Sequence, residues 1–355
     1  EESAAMENFD GCKCIVPDES NNNDVDRYGM GKRKVRDLDE VSDYLKILLA
    51  AELEVYPCCE DYITSAASNS SSSDNGINEA LRRKLCEWCY VIVDHFEYDR
   101  EVVSIALHFL DRSMVKRSCS SITPTSKKEF QLLAITSLYT AIKVHGQSEK
   151  LEGTRSRMKM YDFVQLSRGL FSANSIEASE RRMLSDLQWR VNPPTSLRFI
   201  TYYLKLLPLW DSNGDSLNHT QVKSVLFEVA RYLAELSVCV SRLAFTFTPS
   251  TTAYVSILCA LDVLQENMEI PYNARQSFLK SLAEITGLFP QAPEVRNARA
   301  AFQELCPAMF EGELPAEFQS GKVSPVSAIL HGDKQDFHKN KRMRTHKDDP
   351  RKDGC

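Results

Sequence analysis

Glycine and proline are scarce in this chain, and long stretches of the sequence contain neither. The 355 residues include 13 glycines and 14 prolines. Because these two residues end helices and form most turns, their scarcity favours a helical protein. Apolar residues make up 43% and charged residues 26% of the chain, which is ordinary globular composition. The sequence therefore predicts an all-α protein, long enough for one large or two ordinary domains.

Three further absences narrow the functional class. The chain has no excess of positive charge, and its net charge of -6 argues against a protein that binds nucleic acid through bulk charge. It has no apolar run long enough to span a bilayer and no recognisable secretory signal, so we expect no membrane association. It has no phosphate-binding glycine loop, catalytic triad or carboxylate pair in a cleft, so we expect no enzyme activity.

The cysteines form no recognisable disulfide or metal pattern. There are 11 of them, an odd number scattered along the chain, which favours reduced thiols in the cytosol or nucleus. Cys86 and Cys89 have C-x-x-C spacing but lie on the apolar stripe of a predicted helix, so we interpret them as buried structural cysteines. The other closely spaced pairs lack a matching histidine pattern. We therefore predict neither a metal nor a cofactor.

Helical periodicity divides the chain into parts. Five predicted helical segments precede Pro193-Pro194, at about 79–97, 100–115, 126–145, 161–167 and, after a Ser172 cap, 173–189. Five follow it, at about 197–207, 222–238, 253–264, 274–285 and 295–305. The second and third segments are apolar on almost every side, which is typical of helices at the centre of a bundle. An additional helix precedes the first five segments, and a Ser/Asn-rich linker lies between that helix and those segments. We predict four parts, namely a disordered tail over 1–37, a first helical domain over 38–194, a second over 195–307 and a disordered basic tail over 308–355.

Two basic clusters lie in the predicted tails, at residues 32–36 and 339–347. Both resemble nuclear-localisation signals, although basic runs are often simply solvated. We expect the protein in the nucleus and the cytoplasm.

Four charged residues lie on apolar stripes of the predicted helices: Arg82, Asp111, Lys143 and Glu180. A charge on a buried stripe is costly unless it is paired or left open for a partner. Arg82 and Asp111 belong to consecutive predicted helices, so we expect them to form a charge-assisted hydrogen bond. The alternative is that both lie near helix ends and turn to water.

Lys143 and Glu180 point to a surface role. Lys143 shares a helical stripe with Leu132, although a lysine in a last turn is also favoured by the helix dipole. Glu180 takes a position where a core residue is expected, while Glu177 and Arg181 form an ordinary surface pair beside it. A carboxylate at the edge of an apolar face, with a lysine from another helix, predicts a polar contact point on a binding face.

Three segments resemble the helices of the cyclin box. They are LRRKLCEW at 81–88, LHFLDR at 107–112, and the stretch from FQLL to AIK at 130–143. The chain is thereby similar to the cyclins, the regulatory subunits of cyclin-dependent protein kinases, well over 38–194 and weakly over 195–305. The five hallmark positions of that family fall here on Arg82, Asp111, Leu132, Lys143 and Glu180.

The resemblance implies a fold, a partner and a site. The fold is two five-helix cyclin folds in tandem with an extra N-terminal helix, and the partner is a cyclin-dependent Ser/Thr kinase that the protein activates. In the family the Arg/Asp pair is internal and structural, whereas the Lys and Glu bind backbone groups beside a mobile helix of the kinase. The implied kinase-binding residues are Lys143, Glu180, Leu184, Trp189 and Val191.

The resemblance also implies a docking patch for basic-x-leucine peptides of substrates or inhibitors. The residues that fit it are Leu81, Leu85, Trp88 and Gln131. Lys84 replaces an apolar residue of the patch, and Val91 stands where the acidic residue belongs. Because a cation is added and an anion lost, we predict weak or altered binding of basic peptides.

Two other functions stay open. One is a cyclin-fold scaffold that binds transcription machinery or DNA, as transcription initiation factor IIB does, without activating a kinase. The other is an orphan cyclin-like protein that binds no kinase. The second is kept open by residues 144–147, which lack the aromatic and acidic residues usual in the family, and by a charged insertion at 149–159.

Overall fold

The computed structural model describes residues 30–64, 77–120, 125–146, 158–210, 219–263 and 270–310. Within these ranges the regular structure is helical and no strand occurs, which confirms the all-α prediction. No helix of the described ranges combines the length and the apolarity needed to cross a membrane. By its internal contacts the chain divides into residues 1–40 and 41–355. Both hydrophobic cores belong to the second unit.

The helices occur at the predicted places. The first group is α1 (Met30–Glu54), α2 (Glu79–His95), α3 (Glu101–Ser120), α4 (Lys127–His145), α5 (Met160–Leu166) and α6 (Ala173–Asp186). The second group is α7 (Ser196–Tyr203), α8 (His219–Cys239), α9 (Ser241–Thr246), α10 (Pro249–Val263), α11 (Tyr272–Thr286), α12 (Pro293–Leu305) and α13 (Pro307–Phe310), with a 3₁₀ turn at Leu204–Leu206. The short helices α9 and α13 were not predicted.

Helix α1 begins earlier than predicted. It starts at Met30, within the segment expected to be disordered, because residues 32–36 are mostly lysine and arginine, which are good helix formers. The remainder of that tail, the Ser/Asn-rich linker and the basic cluster at 339–347 lie outside the described residues.

Polar caps set where the helices of the first group begin. Ser126 and Glu129 form a capping box on α4, in which each side chain accepts a backbone N–H of the other residue, at 3.2 and 2.8 Å respectively. Ser172 caps α6 by accepting from the Ser175 amide at 3.2 Å, as the sequence predicted. Such caps satisfy amide groups that have no partner within the helix.

The first core forms around α3 and α4. Both are apolar on nearly every side, and such helices belong at the centre of a bundle. Side chains with no exposed surface in this core include Val103, Phe109, Phe130, Leu133 and Leu138. The interpretation of these two helices as central is thereby confirmed.

The second core forms around α8 and α10, and α1 contributes to it. Leu45 and Leu48 of α1 are buried among the residues of the second group. Glu52, also on α1, accepts the Ser250 amide at the start of α10 at 2.8 Å. Although α1 belongs to the first group in the chain, its apolar side therefore packs with the second. The domain boundaries stay a prediction.

Candidate functional site

Arg82 and Asp111 form an ion pair in the interior. Arg82 Nη2 donates to Asp111 Oδ2 at 2.8 Å and Nε donates to Oδ1 at 3.2 Å. The third donor, Nη1, reaches the Val238 carbonyl at 2.8 Å, and Tyr62 Oη donates to Asp111 Oδ1 at 2.8 Å. The Phe245 ring lies 5.2 Å from the guanidinium. The pair therefore joins α2 and α3 to the end of α8 and is not itself a binding surface.

The charge of Arg82 is maintained by its partner. Burial alone would lower the pKa of Arg82, but the Asp111 carboxylate outweighs burial and raises that pKa above its ordinary value. The guanidinium is therefore protonated at neutral pH.

Lys143 and Glu180 meet at the surface, where α4 packs on α6. Lys143 Nζ donates to both carboxylate oxygens of Glu180, at 3.1 and 3.3 Å, and Thr140 Oγ1 donates to Oε1 at 3.3 Å. The Glu180 side chain is 10% exposed and that of Lys143 is 53% exposed. Leu132, on the stripe of Lys143, is half-buried against the first core. A nearly buried carboxylate thus holds a lysine whose ammonium end faces solvent.

The chain turns sharply after α6 and exposes a tryptophan. Gln188 and Trp189 have φ angles of 52° and 62°, and the Trp189 amide donates to the Leu184 carbonyl at 2.9 Å. Non-glycine residues with positive φ are uncommon and carry strain. Trp189 is 72% exposed, whereas Leu184 and Val191 are half-buried. The five implied kinase-binding residues therefore include one largely exposed aromatic side chain, that of Trp189.

His145, which sequence reasoning did not single out, supports this turn. Its Nε2 lies 2.6 Å from the Val191 carbonyl and links the end of α4 to the segment after Trp189. Burial lowers the pKa of His145, and the contact with Val191 only partly offsets that effect. A histidine in the last turn of a helix was the one signal in the sequence.

The predicted docking patch lies mainly on α2. Its four members, Leu81, Leu85, Trp88 and Gln131, are each half-buried. Val91 is 63% exposed, and Lys84 is exposed beside the apolar members. The surface therefore combines apolar side chains with a cation.

A cavity of about 100 Å³ lies between the two groups of helices. Its lining includes Arg82, His108 and Asp111 of the first group, Phe245 of the second, and Pro194 between the groups. Burial, with a smaller effect of a nearby arginine, lowers the pKa of His108 to about 3, so this imidazole is neutral. Within the described ranges no three metal-binding side chains cluster together.

Comparison with known proteins relates one region of the chain to a family. Residues 52–192 match the family model described as "Cyclin, N-terminal domain". That range contains α2 to α6 and all four charged residues discussed above. This region of the chain is a cyclin N-terminal domain.

Several known cyclins are similar to this chain. Cyclin-B1-1 of Oryza sativa subsp. japonica is 26% identical over 192 residues, which is 54% of this chain and 37% of the relative. Cyclin-G1 of Sus scrofa is 25% identical over 226 residues, 62% of this chain and 70% of the relative. The chain thus spans less than two fifths of the rice protein. A viral cyclin from herpesvirus saimiri aligns with a TM-score of 0.49 at 15% identity, over 77% of this chain and 97% of that chain.

Proposed function

We propose that this protein binds a cyclin-dependent Ser/Thr kinase and activates it, without a catalytic centre of its own. The observation that carries the proposal is the Lys143–Glu180 pair, a half-exposed lysine held by a nearly buried carboxylate. The kinase-binding face is formed by this pair and by the exposed Trp189.

The pair suits recognition of backbone groups. The Lys143 side chain is 53% exposed, so its ammonium group is accessible to a backbone carbonyl of the partner. The Glu180 carboxylate likewise has further acceptor capacity for an amide. Because Glu180 is held in the α4–α6 contact, the position of both groups is set before the partner binds, which lowers the entropic cost of binding.

Trp189 supplies the apolar anchor. Large aromatic side chains that become buried at the centre of an interface carry much of the binding energy. At 72% exposure, Trp189 has most of its surface still to bury. Its left-handed backbone conformation, supported by the bond to Leu184, directs the ring to solvent.

Activation follows from selective binding. A kinase samples inactive and active arrangements, and the active one requires an internal Lys–Glu ion pair on a mobile helix. A partner that binds only the active arrangement shifts the population toward it, by as much as its affinities for the two arrangements differ.

The test compares kinase activity with and without the purified chain, using cyclin-dependent kinases from its own cell. We expect strong stimulation by the wild type and its loss in Lys143→Ala/Glu180→Ala. The matched control is Lys280→Ala/Glu284→Ala, which removes a surface pair at 3.8 Å on α11. If a folded wild-type chain neither binds nor stimulates any kinase of the set, the scaffold function in transcription replaces this proposal.

We further propose that the protein resides in both nucleus and cytoplasm. The basic clusters at 32–36 and 339–347 support nuclear entry. Fluorescent fusions that lack one or both clusters test this, and unchanged nuclear signal without either cluster contradicts it.

A further inference from the structure

Two buried thiols touch where α2 meets α8. The Sγ atoms of Cys86 and Cys239 are 3.2 Å apart, close enough for a thiol–thiol hydrogen bond, and neither residue has exposed surface. The cysteines are 153 positions apart in the chain, one in the first helical group and one in the second. Since a disulfide bond is about 2.05 Å long, the sulfur atoms need to approach by roughly 1 Å more to be joined.

The thiols adjoin the Arg82 contact between the two groups. Cys86 lies one helical turn after Arg82 on α2. Cys239 directly follows Val238, whose carbonyl accepts from Arg82 Nη1. A covalent link between the sulfur atoms would therefore reinforce a connection that a hydrogen bond already makes.

We propose that Cys86 and Cys239 are a reversible oxidation site, at which a peroxide converts the thiol pair into a disulfide that joins the two helical groups. Neither cysteine belongs to the proposed kinase-binding face. Peroxide first transfers one oxygen atom to a thiol, which becomes a sulfenic acid, and the remainder of the peroxide leaves as one water. The second thiol then attacks the sulfenic sulfur, the S–S bond forms, and a second water leaves. The two thiols lose two electrons and two protons, and the peroxide is reduced to two waters.

Burial makes this reaction slow. Burial, together with the bond to Cys239, raises the pKa of the Cys86 thiol well above its ordinary value, so little reactive thiolate is present. Exposed Cys58 and Cys119 are more accessible to peroxide. The site is therefore identified by the disulfide that forms and not by the rate of thiol oxidation. In a reducing compartment, cellular thiols reduce the disulfide only when the structure opens locally, so its reduction is slow as well.

The linked protein should resist unfolding. The disulfide closes a loop of 153 positions, and closing so long a loop strongly restricts the unfolded chain. We expect the apparent unfolding temperature of the full chain to rise by several degrees after oxidation and to return after treatment with dithiothreitol.

The experiment maps the bond in the full-length protein. Protein treated with hydrogen peroxide is blocked with N-ethylmaleimide, digested without reductant and analysed by mass spectrometry. We expect a peptide that joins Cys86 to Cys239 and that dithiothreitol separates. Cys86→Ser and Cys239→Ser should each lose both the linked peptide and the thermal shift. Cys259→Ser, which changes another fully buried thiol, should keep both.

One result overturns the proposal. If Cys86 and Cys239 of peroxide-treated wild type both react with N-ethylmaleimide once the protein is unfolded, no bond has formed between them. Linkage of Cys86 only to Cys89 refutes it equally. Because the mapping uses wild-type protein, it decides the matter even where a serine variant fails to fold.

Discussion

Replacing Asp111 with alanine will leave a buried arginine without its counter-ion. The Arg82 side chain has no exposed surface, and that of Asp111 is 7% exposed. In the variant Arg82 loses two of its three hydrogen bonds and keeps the one to the Val238 carbonyl. Breaking a buried ion pair on one side typically costs about 3–5 kcal/mol, because the remaining charge is uncompensated. Domains of this size are stable by only about 5–15 kcal/mol, so the loss is a large part of the total.

Matched variants separate the charge from the packing. Asp111→Asn keeps the shape of the side chain and removes the charge, so we expect a loss of a few kcal/mol here too. The double variant Arg82→Met/Asp111→Leu removes both charges and should be more stable than Asp111→Ala alone. Tyr62→Phe removes one hydrogen bond to Asp111 and should cost about 1 kcal/mol.

The assay is urea unfolding, followed by tryptophan fluorescence and by far-ultraviolet circular dichroism. The two signals should coincide before a free energy of unfolding is derived, because a chain with two cores can unfold in two steps. With a slope of about 1–3 kcal/mol per molar urea, the midpoint of Asp111→Ala should fall by at least 1 M. A loss below about 1 kcal/mol in Asp111→Ala, or a double variant no more stable than Asp111→Ala, would refute the reasoning.

Three further outcomes are expected. Trp189→Ala should weaken kinase binding at least tenfold in a titration, because it removes the aromatic anchor of the proposed face. The unfolding temperature should hardly change, since the side chain is 72% exposed. Equal binding by wild type and variant would contradict the proposed face. Burial raises the pKa of Glu235 from 4.5 to about 6 despite two nearby arginines. Between these two pH values the folded state binds a proton at Glu235 that the unfolded state has lost, so the free energy of unfolding should fall by about 2 kcal/mol as the pH rises from below 4.5 to above 6. Glu235→Gln should flatten this change in urea midpoints measured across that pH range. The wild-type protein should bind a basic Arg-x-Leu peptide weakly, and the variant Lys84→Ile/Val91→Glu should bind it more tightly. Micromolar binding by the wild type that is lost in Trp88→Ala would contradict this prediction.

The helices follow from local sequence, and so do the candidate charges. Apolar spacing places α2 to α6 within a few residues of their observed bounds, and Ser172 marks the start of α6. These features depend on neighbours three or four positions away, which a single sequence displays. The same periodicity shows that Arg82 and Glu180 lie on apolar stripes, where a charge requires a partner.

Which groups meet was decided by the tertiary structure. Glu52 contacts Ser250 across 198 positions, and Cys86 contacts Cys239 across 153. Periodicity indicates which face of a helix is buried but not which helix covers it, so the packing of α1 with the second core could not be predicted. The exposure of Trp189 likewise depends on a positive φ angle in the turn, which apolar patterning does not encode. The sequence by itself thus determined the helices and the charges that need partners. The packing of those helices selected the partners, because contacts between distant residues arise only when the chain is compact.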